Sequence, residues 1–163
     1  MAAQDADGLR LDDEERDVVG SEVQALLPAL SGSRRDAYDQ LAAAVAAGVV
    51  PNELEPLLTS VLELSLQTAC ARQLYRAEGE RLLTAVFRRT QRGRDVTAQL
   101  EQVNAALRSL SGQPLDAVTV GMRTLGHFTV TVRTTAATIG LSVRSDGVSV
   151  DSLAVGGPAD TPA

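Results

Sequence analysis

The longest run of regularly spaced apolar positions lies between Pro51 and Thr90. Leu58, Leu62, Leu66, Ala69 and Leu74 recur every three to five residues, and Leu82, Ala85 and Val86 continue much the same face. This spacing suits an amphipathic helix and does not suit a half-buried strand. Arg72, Arg76, Glu78 and Glu80 give the segment one wet face. The pattern predicts a long helical spine, with Gly79 as the alternative point of a break. A helix of about 30 residues would be roughly 45 Å long. Other helices, or a second copy of the chain, must then pack along it.

Shorter helices flank the spine. Asp12–Leu30 carries the stripe Val19, Val23, Leu26, Leu27 and Leu30. Asp12 is placed to cap it, Glu15 follows at capping-box spacing, and Pro28 points to an end near Leu27. Ser33–Ala47 forms a second helix with Ser33 as cap, Tyr38, Leu41 and Val45 inward, and Gly48 as the stop. Pro56 fits only a first turn, so the spine starts near Glu55 if Glu53–Pro56 is not a separate turn. Gly93 ends the spine. Asp95–Leu110 is a further helix, capped by Asp95, with its stripe at Val96, Leu100, Val103, Leu107 and Leu110. The short connection predicts that it runs back antiparallel to the spine.

Beyond Ser111–Pro114 the period falls from 3.6 to 2. Val118, Val120 and Met122 alternate with polar or small residues, as do Phe128, Val130 and Val132, then Ile139, Leu141 and Val143, then Val148 and Val150. Four strands with one apolar and one polar face follow. Leu125-Gly126, Thr134–Ala137 and Asp146-Gly147 supply the turns. The apolar face needs a cover, either the upstream helices or a second subunit's sheet. The expected fold is α+β, with about four helices, one of them long, followed by a four-stranded antiparallel meander. The expected division is an acidic disordered tail at 1–11 and a single domain at 12–155. Its helical part covers 12–111 and its meander 116–155, with a second tail at 156–163.

Composition sharpens this picture. The chain is 44% hydrophobic but only 2% aromatic, so its core is aliphatic. The formal charge of −6 is uneven: residues 1–20 hold seven acids against Arg10 and Arg16. Between Arg72 and Arg108, eight Arg face four acids. The chain contains no Lys, which removes Schiff-base and phosphate-loop lysines. One Cys and one His leave no internal disulfide, cysteine zinc cluster or multi-histidine metal site. The acidic N-terminus argues against a secretory signal, and no long uncharged apolar run predicts a membrane span. A cytoplasmic chain of bacterial style is expected.

Arg88, Arg89, Arg92 and Arg94 form the sharpest cluster of candidate chemistry. A guanidinium makes two parallel bonds to a carboxylate or phosphate. An acidic protein partner or a nucleotide-like anion would suit such a cluster, as would simple ion pairing at a helix end. Nucleic acid is disfavoured, because no recognition helix or base-stacking aromatics accompany the arginines. His127 opens the second strand on its polar side, with no nucleophile or carboxylate at meaningful spacing. Cys70 sits near the apolar face of the spine and suits a small buried residue. Tyr38 and Tyr75 are candidates for an interface or for the core. No catalytic residues, metal or cofactor are expected. The composite expectation is a non-enzymatic interaction, adaptor or assembly module that forms a homodimer and binds a protein partner. The alternative is a small-ligand or nucleotide-binding regulator that uses Arg88–Arg94.

Overall fold

The computed structural model describes residues 8–68 and 70–155, and side chains within these ranges except at 70–76. In chain order the elements are β1 (Leu9–Arg10), α1 (Asp13–Leu26), a 3₁₀ turn (Leu27–Ala29), α2 (Gly32–Ala47), β2 (Val49–Val50), α3 (Glu55–Gln67), α4 (Cys70–Arg89) and α5 (Gln91–Arg108). The strands β3 (Leu115–Thr124), β4 (His127–Thr134), β5 (Ala137–Arg144) and β6 (Gly147–Val155) follow. The α+β class holds, with five helices among the described residues rather than about four. Two compact units divide the chain, Met1–Arg94 and Asp95–Ala163.

The helical unit follows its apolar stripes closely. Asp12 accepts the Glu15 N–H at 2.8 Å, and the Asp12 N–H donates to Glu15 Oε2 at 3.0 Å, which closes the capping box at the start of α1. Val19 and Val23 of α1 and Tyr38, Leu41 and Val45 of α2 enter one core with Leu58, Val61 and Leu62 of α3. Gly48 ends α2 at φ +81°, a left-handed value that glycine reaches without steric cost, and its N–H meets the Ala44 and Val45 carbonyls. The start of α2 lies earlier than Ser33: Ser31 is the flanking residue, and its side chain makes no capping bond.

The spine is not one helix. It breaks at Thr68, far from Gly79, which is buried inside α4. The Thr68 N–H and hydroxyl both donate to the Leu64 carbonyl, at 3.0 and 2.7 Å, and close the last turn of α3. Folding the segment in two lets Leu58, Val61 and Leu62 share a core with Leu83 and Val86. A straight 45 Å rod would leave much of that stripe wet.

The acidic N-terminal stretch also departs from a disordered tail over 8–11. Leu9–Arg10 pairs antiparallel with Val49–Val50, and the Leu11 N–H donates to the Gly48 carbonyl at 2.9 Å. Leu9 and Leu11 are each only 8% exposed. Two leucines among acids do not read as an apolar stripe in sequence, yet both find the core.

One buried polar pair crosses this unit. The Ser65 hydroxyl donates to Glu22 Oε2 at 2.5 Å, while Glu22 Oε1 has no hydrogen-bond partner among the described residues.

The helix boundary near Gly93 is drawn differently from the sequence expectation. Thr90 alone separates α4 from α5, and Gly93 and Asp95 lie inside α5. Thr90 is fully buried. Its hydroxyl donates to the Phe87 carbonyl at 2.7 Å and accepts the Gly93 N–H at 3.1 Å. It therefore caps α5 while closing α4. A Cβ on Gly93 would lie 1.9 Å from the Phe87 carbonyl oxygen. Glycine is required at this position by a close backbone crossing rather than as a helix stop.

In the second unit the strands run β3-β4-β5-β6, each antiparallel to the next. Val118, Val120 and Met122 lie opposite Val132, Val130 and Phe128. These in turn face Ile139, Leu141 and Val143. Directly opposed residues share a face, so one side of the sheet is apolar along these rows. Val103 of α5 packs on Ile139 and Leu141, with Ala106, Leu107, Leu110, Val130, Val148 and Val150 around them. Val103, Leu107 and Leu110 of the α5 stripe thus cover part of the sheet, while Leu100 stays 46% exposed. Thr134 fastens the β4–β5 turn, accepting the Ala137 N–H at 3.0 Å and donating to Gln113 Oε1 at 2.6 Å.

Candidate functional site

The four arginines follow from the last turns of α4 and the first of α5, and the fold gives them different tasks. Arg89 reaches the start of the chain. Its Nη2 lies 2.6 Å from Glu15 Oε1, and its Nη1 donates to the Arg10 carbonyl at 2.8 Å. The Glu15 side chain is 9% exposed and already caps α1 through its other oxygen. Arg92 Nε stands 3.5 Å from Glu63 of α3. Arg94 donates to the Arg89 carbonyl at the end of α4 and, at 2.9 Å, to Gln91 Oε1. The Gln91 N–H in turn donates to Glu55 at the start of α3. Arg89, Arg92 and Arg94 therefore tie the α4–α5 corner to its surroundings within the helical unit.

Arg88 differs. It is exposed and makes no ion pair among the described residues. It borders an open depression of about 450 Å³ on α4, lined also by Ala77, Glu80, Arg81, Thr84 and Ala85. Arg81 bonds Glu78, with Nε at 3.1 Å and Nη2 at 2.5 Å. That contact holds the Glu78 carboxyl below its ordinary range and raises Arg81, with Glu14 and Asp12 adding smaller contributions to Arg81.

This division of labour has a measurable consequence. Arg89→Ala should lower the stability of the helical unit by about 1–2 kcal/mol. It strands a buried carboxylate, but the loss is moderated because the guanidinium is 44% exposed. Arg88→Ala should stay within about 0.5 kcal/mol of wild type. Urea unfolding followed by helical circular dichroism compares the two, and equal effects would contradict the assignment.

Among the described side chains, Tyr38 and His127 lie apart from the arginine cluster. Tyr38 is 6% exposed and sits in the helical core. The side chains of Tyr75 and Cys70 lie outside the described residues. His127 lies on the polar sheet face, with Nε2 2.8 Å from Ser142 Oγ. Ser142 is only 1% exposed, so this pair offers no hydroxyl to a substrate. Among the described residues no group of three His, Cys, Asp or Glu side chains is arranged to hold a metal, and no helix is long and apolar enough to cross a membrane.

A second feature emerges only from the fold. The cover given by α5 is uneven. Ile139 is fully buried and Leu141 7% exposed, whereas Val118, Val120 and Met122 are 51%, 69% and 64% exposed. Phe128 and Leu115 are also exposed. The widest uncovered strip is the edge strand β3 with its neighbour Phe128; at the end of the other edge strand, β6, Leu153 and Val155 are also exposed, 49% and 77%. The alternation of apolar and polar residues signalled the face, but it could not show which half one helix would leave bare. Comparison with protein-family models, with curated proteins and with solved structures finds no match for this chain.

Proposed function

We propose that this chain is a non-enzymatic, cytoplasmic interaction or assembly module that works by presenting a protein-binding surface. The observation that supports the reading is the bare aliphatic strip on β3. Monomers rarely leave a contiguous apolar patch of this kind in water, and an edge strand with an unpaired outer row of backbone groups invites pairing. The helical unit contributes a rigid body, and Arg88 beside its depression offers a further contact for an acidic protein partner. The alternative, an anion or nucleotide site at Arg88–Arg94, would have to draw Arg89 away from Glu15 and Arg94 away from the Arg89 carbonyl. That cost weighs against it.

The reading is tested by affinity capture from the source cell with wild type and with Val120→Asp. A stoichiometric protein, whether the untagged chain itself or another protein, retained by wild type and lost with the variant is the expected result. Equal capture by both, or none by either, would count against a strip-mediated module.

A further inference from the structure

Building on the module reading, we infer that the occupant of the β3 strip is a second copy of this chain, related by a two-fold axis that sets the two β3 strands antiparallel. Area comes first. Leu115, Val118, Val120, Met122 and Phe128 together expose on the order of 500 Å² of side chain, at the upper end for the largest patch of a monomer. Two such strips in contact remove about 1,000 Å² before any rim is counted, close to the lower bound of a stable interface.

The composition of the two terminal segments offers no aliphatic run to match the strip. Residues 156–163 read Gly-Gly-Pro-Ala-Asp-Thr-Pro-Ala, and residues 1–7 contain Met1 as their one large apolar side chain. A second strip, by contrast, brings the same aliphatic residues that the first presents.

Charge then sets the direction. The register between β3 and β4 skips at two residues, Asp116 near one end of β3 and Arg123 near the other. Both are exposed. Arg123 lies 3.8 Å from Asp151 and still leaves 64% of its side chain in solvent. Asp116 makes no ion pair among the described residues. Two parallel β3 strands would set Asp116 against Asp116 and Arg123 against Arg123. The antiparallel two-fold arrangement brings each Asp116 to the Arg123 end of its partner, twice per dimer. The aliphatic centre, Val118 to Met122, then meets itself.

Sedimentation equilibrium of the full chain at several micromolar loadings provides the test. Wild type is expected at twice 17.1 kDa and Val120→Asp at 17.1 kDa, with circular dichroism matching wild type. Asp116→Arg and Arg123→Asp should each weaken dimerisation about fivefold at low salt, and the double reversal should restore it. A wild-type monomer at every loading would overturn the inference, as would a dimer insensitive to Val120→Asp. A double reversal no tighter than the single variants would overturn the antiparallel arrangement. If wild type is monomeric but capture of another protein still depends on Val120, the dimer fails and the module reading stands. If capture is also indifferent to Val120, both fail.

Discussion

Gly93→Ala is expected to destabilise the helical unit by about 2–4 kcal/mol, although alanine is the better helix former by about 1 kcal/mol. The reason is local. Gly93 lies in the first turn of α5, where the backbone crosses the end of α4. A Cβ there would stand 1.9 Å from the Phe87 carbonyl oxygen, 2.6 Å from its carbon and 2.7 Å from the Arg88 Cα. These are backbone atoms and cannot rotate aside. Relief requires opening the corner, which pulls the Gly93 N–H from the Thr90 hydroxyl and disturbs a fully buried threonine. Thermal and urea unfolding of the variant measure the cost. A melting temperature equal to or above wild type would show that helix propensity outweighs the crossing and that the corner is looser than described.

Leu62→Ala should cost about 2–5 kcal/mol, the range for a leucine whose removal leaves a cavity in a packed core. Leu62 is fully buried in the cluster that joins α1, α2, α3 and α4. Natural domains hold only about 5–15 kcal/mol in total, so this one change threatens the unit. Leu64, two residues along the same helix, is 45% exposed and is the internal control. Leu64→Ala should change stability by no more than about 0.5 kcal/mol. The contrast is read from urea midpoints of the two variants with unchanged slopes. Similar losses would mean that α3 is rotated relative to the packing described here.

The arginine cluster shows the limit of reading chemistry from local composition. Four guanidiniums in seven residues resemble a binding surface. Arg89 instead meets Glu15 across 74 positions of sequence, and Arg92 meets Glu63. No pattern near residue 90 announces those partners. The acids lie on other elements, and only the return of α4 past the start of α1 brings them into range.

What the sequence determined by itself were the features that depend on neighbours. The capping box at Asp12 and Glu15, the inward side of α2 at Tyr38, Leu41 and Val45, the left-handed stop at Gly48 and the four alternating strands each rest on interactions spanning a few residues. Tertiary structure decided everything that depends on what an apolar face meets. The stripe from Leu58 to Val86 is equally compatible with one rod and with two packed helices, because both preserve the 3.6-residue period. Breaking at Thr68 is favoured by the area the two halves bury together. In the same way, α5 carries one stripe that could serve the spine or the sheet. Its packing on Ile139 and Leu141 covers β5 and leaves β3 bare. A helix about 10 Å wide cannot shield four strands spaced about 4.8 Å apart, and the uncovered strip is the remainder.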